Sequence, residues 1–410
     1  MKPTFNFKEM APVLFAVFVD ILGFGVALPI LTSLFSSGDF LPAGISEQGR
    51  YSLLAVGYAL YPFCMLFGSS FMGDLSDIIG RKKVLVMCMG GFAIGFAFMG
   101  IGVKLFSISL LFAGRALTGL TAASLPTTMA AVADMSTDEN KATHMSFVVF
   151  VQSLGFVLGP LIAGVLSNRN VTFFFDDAMP FFFSACLATL AFFWIGVGFQ
   201  ESFIKNPNKI IEPLRLIMVF VEAARHKRVR LLTSAFIMHQ MGIALYVQLI
   251  LIHLQRTFSY TAFQMGLFNA FFGLWMGLGL IIIIPYATKR FKIEWIACVC
   301  IGCMGLFQLL TAFSAIQWLI WLFLIPYAGF ANAGWSAILT SFSHAVDKKS
   351  QGWALGITGS VVALSFVLTG FAPNLIPYMG AMPLIAVGGV LLLGGSLIMR
   401  HYCRRFHVPF

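Results

Sequence analysis

Charged residues are rare in this chain, and two of them fall inside long apolar runs. Asp, Glu, Lys and Arg together make up 10% of its 410 residues. Asp20 and Arg115 each lie about ten residues inside a run, which is roughly 15 Å at a rise of 1.5 Å per residue. That depth is near the middle of a hydrocarbon core about 30 Å thick. An ionisable side chain there is costly, so both residues are predicted to be functional.

Asp20 and Arg115 can pair, or they can compete for a proton. Burial in an apolar medium favours the neutral form of a carboxyl group, whereas a neighbouring guanidinium favours the charged form. A site where these two influences change would take up and release a proton. The alternative is a structural ion pair that only holds two helices together.

A second concentration of charge, the Gly73–Lys83 segment, separates the second apolar run from the third. Its acids, among them Asp77, are expected to end one helix, and Gly80 permits a tight reversal of the chain. The cations Arg81, Lys82 and Lys83 are expected to hold the next helix start at the cytoplasmic surface. We expect Asp134 to join Asp77 and Arg81 in one network. The alternative is an ordinary basic turn between membrane helices.

The elements that carry these residues are predicted to be membrane helices. Hydrophobic residues make up 59% of the chain and Phe alone numbers 45, far more than a soluble core needs. A span needs about 20 apolar residues. The sequence predicts an all-α membrane protein with about twelve spans, near 9–34, 50–71, 84–103, 106–130, 142–167, 179–199, 230–254, 262–286, 294–312, 317–342, 352–376 and 380–400.

The twelve spans divide six and six about a polar, basic loop. We predict an N-terminal bundle at 1–199, a linker at 200–229 and a C-terminal bundle at 230–410. The linker alternates apolar and basic positions, which predicts an amphipathic helix on the inner leaflet; an irregular basic linker is the alternative. Most Lys and Arg fall in alternate loops, which predicts that both termini are cytoplasmic.

Composition also excludes several classes of protein. The net charge of +10 is explained by cytoplasmic loops, so nucleic acid is not an expected partner. The seven Cys are odd in number and lie mostly in apolar runs, which argues against a disulfide framework. Neither a phosphate-binding loop, a metal box nor a serine elbow is present in the sequence. We therefore predict no enzyme, no cofactor and no metal.

The Gly73–Lys83 segment resembles the signature loop of the major facilitator superfamily, Gly-x-Leu-Ala-Asp-Arg-x-Gly-Arg-Lys-Lys, from which Ser76 and Ile78 depart. The run from Arg115 to Ala123 is similar to that family's helix 4 motif, Arg-x-x-x-Gly-x-x-x-Ala. In the family, the helix 4 motif is associated with proton coupling. This resemblance implies that Asp20 and Arg115 couple transport to protons.

The fifth predicted span resembles the family's antiporter motif, Gly-x-x-x-Gly-Pro-x-x-Gly-Gly. The matching residues are Gly155, Gly159, Pro160 and Gly164, and Ala163 departs at one small position. In the family this motif marks exporters that exchange a substrate for protons. Glycines at this spacing also let two helices approach closely, and a proline bends its helix. The stretch Asp20–Pro29 is similar to the first helix of tetracycline-type exporters.

The resemblance as a whole implies two pseudo-symmetric six-helix bundles that expose a central site to each side of the membrane in turn. It implies a monomeric drug:proton antiporter of the bacterial inner membrane, whose partners are protons, lipid and a small amphipathic molecule. A proton-coupled importer or a uniporter of a metabolite is the alternative. Tetracycline itself is not favoured, because the stretches Phe271–Met276 and Cys300–Gly305 lack the His and Asp of those exporters.

Polar and aromatic side chains within the spans are candidates for the substrate pathway. They suit an amphipathic organic molecule better than a phosphate or a metal ion, although Gln and Asn can also simply bridge helices and a buried neutral His is common. The candidates are Gln152, His239, Gln240, Gln248, Asn269, Trp275, Asn332 and Trp335.

Overall fold

The computed structural model describes residues 7–37, 40–42, 44–137, 140–201, 220, 222–346 and 351–408. All regular secondary structure in these ranges is helical. The long helices follow one another along the chain, and the last two of them are separated by a short 3-10 turn and a short helix. In chain order they are α1 (Phe7–Ser37), α2 (Glu47–Ile79), α3 (Arg81–Lys104), α4 (Ile108–Leu120), α5 (Ser124–Asp134), α6 (Lys141–Leu166), α7 (Met179–Gly198), α8 (Lys227–Phe258), α9 (Ala262–Ala287), α10 (Ile293–Ala312), α11 (Gln317–His344), α12 (Gln351–Gly370), the 3-10 turn Ala372–Leu375, α13 (Ile376–Met379) and α14 (Ala381–Arg405).

Within the described ranges, twelve helices are long and apolar enough to cross a membrane. The predicted fold class, an all-α membrane protein with about twelve spans, is confirmed. The helices run several residues past the apolar stretches at some ends, most clearly in α2 and α8, with 33 and 32 residues. Helical backbone satisfies its own hydrogen bonds, so nothing requires it to stop where the apolar side chains stop. Of the described spans, α1 and α8 are the most completely buried.

The fourth span is broken, whereas the sequence predicted one continuous helix. It consists of α4 and α5, separated by Thr121–Ala123. The hydroxyl of Thr118 donates to the carbonyls of Gly114 and Arg115, both at 3.0 Å, and bonds of this kind weaken a helix. Pro126 lacks an N–H and its ring would clash with the carbonyl four residues earlier. The break therefore falls between the threonines and the proline.

The described residues fall into two compact units. The first lies within Met1–Ala43, Leu60–Leu214 and Thr261–Ala270, and the second within Gly44–Ala59, Arg215–Tyr260 and Phe271–Phe410. The boundaries thus fall inside α2 and α9 as well as near the predicted linker. Most of that linker, residues 202–219 and 221, lies outside the described part of the chain, and with it most of the predicted amphipathic helix; the described linker residues 220 and 222–225 are helical.

Candidate functional site

Asp20 lies on α1 in the first unit, and its carboxylate is held by two hydroxyl groups. The Tyr61 hydroxyl of α2 donates to Asp20 Oδ1 at 3.3 Å, and the Ser124 hydroxyl of α5 donates to Oδ2. All three side chains are buried, with 6%, 6% and 0% of their surface exposed. An acid in such surroundings is solvated by a few protein groups instead of water, so its charge depends on those groups.

Arg115 of α4 contacts the ring of Tyr61, the residue whose hydroxyl donates to Asp20. Its guanidinium carbon lies 5.0 Å from the centre of the Tyr61 ring, within the range of a cation–π contact. Arg115 is 2% exposed, and the Tyr61 ring also contacts the Phe24 ring, with ring centres 5.7 Å apart. Tyr61 therefore contacts both of the charged residues that the sequence analysis singled out. Tyr61 is a residue that the sequence analysis missed.

Local chain features explain how these side chains meet. A Cβ atom on Gly119 would stand 2.5 Å from the backbone oxygen of Tyr61, so only glycine allows α4 to approach α2 this closely. The break after α4 then starts a new helix at Ser124, which turns this hydroxyl toward α1. The helix break could have been anticipated from the sequence, since threonines precede Pro126. The hydrogen-bond partner of Ser124 could not be anticipated in this way.

The Gly73–Lys83 segment forms the end of α2 and the start of α3. The Arg81 side chain is the common partner of the polar contacts made there. The Arg81 guanidinium contacts Asp77 Oδ1 at 2.5 Å and Asp134 Oδ2 at 3.4 Å, and it donates to the Ser76 hydroxyl at 2.5 Å. The Arg81 residue is 8% exposed. A buried guanidinium with two carboxylates is strongly held, and removing one partner from such a network is costly. Lys82 is partly buried and Lys83 is exposed.

Glu201, just beyond α7, caps the start of α3. Its carboxylate oxygens accept hydrogen bonds from the backbone N–H groups of Arg81 at 2.9 Å and Lys82 at 3.3 Å. Helix starts leave N–H groups unsatisfied, and a negative charge there is favourable. Gly80 has φ 106° and ψ 155°, and a Cβ atom on it would strike the Glu201 carboxylate. Glu201 was missed by the sequence analysis because no local pattern links it to residue 80.

The glycines of α6 lie against two different helices of the first unit. A Cβ atom on Gly155 would stand 2.9 Å from the Phe18 carbonyl oxygen, and one on Gly159 would stand 2.5 Å from the Leu22 carbonyl oxygen, both on α1. Farther along α6, a Cβ atom on Gly164 would stand 2.8 Å from the Cα atom of Phe263 on α9. Pro160 packs against Gly25 of α1. The whole motif therefore serves close helix contacts.

In the second unit, two of the substrate candidates meet at one aromatic ring. Phe236 of α8 stacks with His239 at 6.0 Å between ring centres and meets Trp335 of α11 edge-on at 5.6 Å. Trp275 of α9 contacts Phe271 instead, at 6.1 Å. The structure thus groups His239 with Trp335 but leaves Trp275 in a separate aromatic cluster.

The remaining candidates differ in burial. Gln240 and Gln248 of α8 are each 1% exposed, and the side-chain oxygen of each has no hydrogen-bond partner among the described residues. Asn269 lies in the first unit and is 4% exposed. Gln152 and Asn332 are partly buried. Within the described ranges, no group of three or more His, Cys, Asp or Glu side chains is arranged to hold a metal ion.

Most of the chain, including the residues described above in α1 to α6, matches one known protein family. A family model described as the Major Facilitator Superfamily matches residues 13–370. The chain belongs to this superfamily. The match includes Asp20, the Gly73–Lys83 segment and the glycines of α6. The membership predicted from the sequence motifs is therefore confirmed.

The curated relatives include several drug-resistance proteins. The chain is 28% identical to tetracycline resistance protein class C of Escherichia coli over 363 residues, which cover 87% of this chain and 86% of that protein. It is 25% identical to the class E protein of Escherichia coli, covering 86% and 84%. It is 27% identical to multidrug resistance protein 2 of Bacillus subtilis (strain 168), covering 55% and 57%.

Solved structures share the fold at lower identity. The human organic anion transporter MFSD10 (TETRAN) superposes with a TM-score of 0.71 and 18% identity, covering 96% of this chain and 99% of that one. A D-xylose-proton symporter gives a TM-score of 0.73 with 13% identity, covering 95% and 96%. This major facilitator protein is thus an integral, multi-pass membrane transporter whose relatives are transporters and not enzymes.

Proposed function

We propose that this protein is a proton-coupled antiporter that exports a small amphipathic molecule by alternating access. The observation that carries the proposal is the arrangement around Asp20. Its two partners are hydroxyl groups, and a hydroxyl can donate to a carboxylate or accept from a protonated carboxyl. The same contacts can therefore hold either form of the acid, as a proton carrier requires.

Arg115 would set the balance between the two forms. Its guanidinium lies against the ring that carries one of the Asp20 partners, so it stabilises the charged form through Tyr61. Movement of α4 relative to α1 would weaken that influence and favour uptake of a proton. Antiport requires that substrate and proton exclude each other, so substrate binding would have to keep Arg115 against the Tyr61 ring and favour the charged form of Asp20.

The other predicted site residues receive supporting roles. We assign the Arg81 network, with Asp77 and Asp134, to closing the cytoplasmic side, together with Gly73, Gly80, Lys82 and Lys83. The α6 motif would supply the tight helix contacts of the first unit. Gln152, His239, Gln240, Gln248, Asn269, Trp275, Asn332 and Trp335 would line or support the substrate pathway.

The relatives support the direction and the class of substrate. Proteins with this sequence pattern are named for resistance to tetracycline and to multiple drugs, which implies export of organic molecules. We place the protein in a bacterial inner membrane as a monomer with both termini in the cytoplasm. The proton gradient across that membrane is inward, so exchange for protons would drive the substrate outward.

Inside-out membrane vesicles test the proposal directly. A pH-sensitive dye reports the proton gradient while tetracycline, a fluoroquinolone or a lipophilic cation is added. For an antiporter, a transported compound discharges the gradient. Asp20→Asn should abolish this proton movement while leaving energy-independent exchange of substrate, and Arg115→Ala should impair both activities, because removing a cation from a buried network leaves its partners uncompensated.

Asp176→Asn is a matched control, because it removes an acid that is paired with Lys104 rather than with the buried hydroxyls. It should transport normally. Uphill transport by Asp20→Asn at the normal rate would contradict the role of Asp20. Proton and substrate movement in the same direction would identify an importer instead.

A further inference from the structure

Helices α8 and α11 of the second unit face each other in matched registers. His239 and Tyr246 are seven residues apart on α8, and Tyr327 and Gly334 are seven apart on α11, about 10.5 Å in each case. A Cβ atom on Gly334 would stand 3.7 Å from His239 Nε2. The rings of Tyr246 and Tyr327 have centres 4.2 Å apart. We call these four residues the α8–α11 seam.

The seam is buried, yet its polar atoms lack protein partners. Both ring nitrogens of His239 and the hydroxyl oxygens of Tyr246 and Tyr327 have no hydrogen-bond partner among the described residues. The three side chains are 0%, 1% and 0% exposed. The Thr311 hydroxyl near Tyr246 donates to the Phe307 carbonyl oxygen, so it could only accept from the Tyr246 hydroxyl. Buried polar groups in proteins are normally paired with protein or with ordered water.

Water fits this seam better than an organic ligand does. The rings of Tyr246 and Tyr327 are in contact and have almost no exposed surface, so a drug-sized molecule could enter only by separating two helices of one unit. A buried water needs two to four polar partners, and the seam offers them at two levels about 10.5 Å apart: the ring nitrogens of His239 at one level and the hydroxyl groups of Tyr246 and Tyr327 at the other. Gly334 provides room beside His239 Nε2, because it has no side chain there.

We propose that the α8–α11 seam binds buried water, and that this water gives His239 access to protons within the second half of the transporter. The described groups beside His239 are uncharged: Phe236 and Gln240 from α8 and Gly334 from α11. Cys300 and Ile301 of α10 lie against the Cβ position of Gly334. A proton on His239 would therefore be stabilised chiefly by water. The water site stands independently of the proposed antiport, whereas a coupling role for His239 rests on it.

Radiolytic hydroxyl-radical labelling of the purified full-length protein tests the water site. Radicals form where water is present and react within a few ångströms, so bound water labels side chains that bulk solvent does not reach. Tyr246 and Tyr327 should be modified at least severalfold faster than Phe181 of α7, which is equally buried. Labelling of both tyrosines at the Phe181 rate would overturn the proposal.

Gly334→Ala supplies a steric test that leaves every polar group in place. The new methyl would meet Cys300 Cβ at 3.3 Å and His239 Nε2 at 3.7 Å, so the helices need to give only a few tenths of an ångström. It should slow labelling of His239 by filling the space beside that ring. Labelling that stays as fast as in the unaltered protein would place the water elsewhere and contradict this site.

Proton access is measured by titrating the protein in weakly buffered detergent between about pH 8 and pH 4, the range in which histidines change charge. His239→Gln should take up fewer protons than the unaltered protein over this range. Equal uptake by the two proteins would refute the role of His239. Neither measurement needs a substrate, so an absence of transport would overturn the antiport proposal while leaving the seam intact.

Discussion

Gly80 and Glu201 should be energetically coupled, although they are far apart in the sequence. Glu201→Ala removes two hydrogen bonds from the start of α3. Loss of a capping side chain typically costs about 1 kcal/mol. Gly80→Ala forces a residue with a side chain into φ 106° and ψ 155°, a backbone region almost limited to glycine, which costs about 1–3 kcal/mol. The new methyl also displaces the Glu201 carboxylate, so the cap is lost as well.

These contributions predict a specific departure from additivity. Gly80→Ala alone should cost about 2–4 kcal/mol, the sum of backbone strain and the lost cap. In the Glu201→Ala background only the strain remains, so the double variant should be about 1 kcal/mol more stable than the two single changes imply. Coupling energies of this size are measurable, since independent sites add within roughly 0.5 kcal/mol.

Denaturation by SDS in mixed micelles, followed by tryptophan fluorescence, gives the required free energies of unfolding. Gly380 is the matched control: it precedes α14 with φ 78° and ψ 175°, and nothing lies within 4 Å of its Cβ position. Gly380→Ala should be destabilising and additive with Glu201→Ala. Additive behaviour of the Gly80 and Glu201 changes would refute the capping interaction.

Two further outcomes follow from helix packing and orientation. Gly159→Ala places a Cβ atom 2.5 Å from a carbonyl oxygen of α1 and should cost about 1–3 kcal/mol in the same assay. Gly196→Ala, inside α7 with nothing within 4 Å, should be neutral or stabilising, because alanine favours a helix more than glycine does; equal effects of the two changes would contradict the close contact. Reporter fusions after Phe410 and within 205–210 should be cytoplasmic and a fusion within 169–178 external, and a reversed result at any site would overturn the proposed orientation.

The number and kind of helices could be predicted because the membrane imposes both. A span needs about 20 apolar residues and must satisfy its own backbone, so counting apolar runs was sufficient. Asp20 and Arg115 could be picked out for the same reason, since a charge at mid-span is rare. The Gly73–Lys83 segment could be recognised as a loop at a membrane surface from its charges.

The partners of these residues could not be predicted from local sequence. Tyr61 is one of nine tyrosines, and its role depends on how closely α2 approaches α4. Glu201 lies 120 positions from the helix that it caps. The unit boundaries inside α2 and α9 also depend on packing, because the apolar pattern is continuous through both helices.

Because the fourth span is broken between α4 and α5, the function of this span should depend on the number of residues in the break more than on their types. Arg115 lies before the break and Ser124 after it, and both contribute to the surroundings of Asp20. Removing one residue from Thr121–Ala123 would turn α5 by about 100° relative to α4 and carry Ser124 away from the acid. Single-residue deletions there should be far less tolerated than substitutions that keep the spacing.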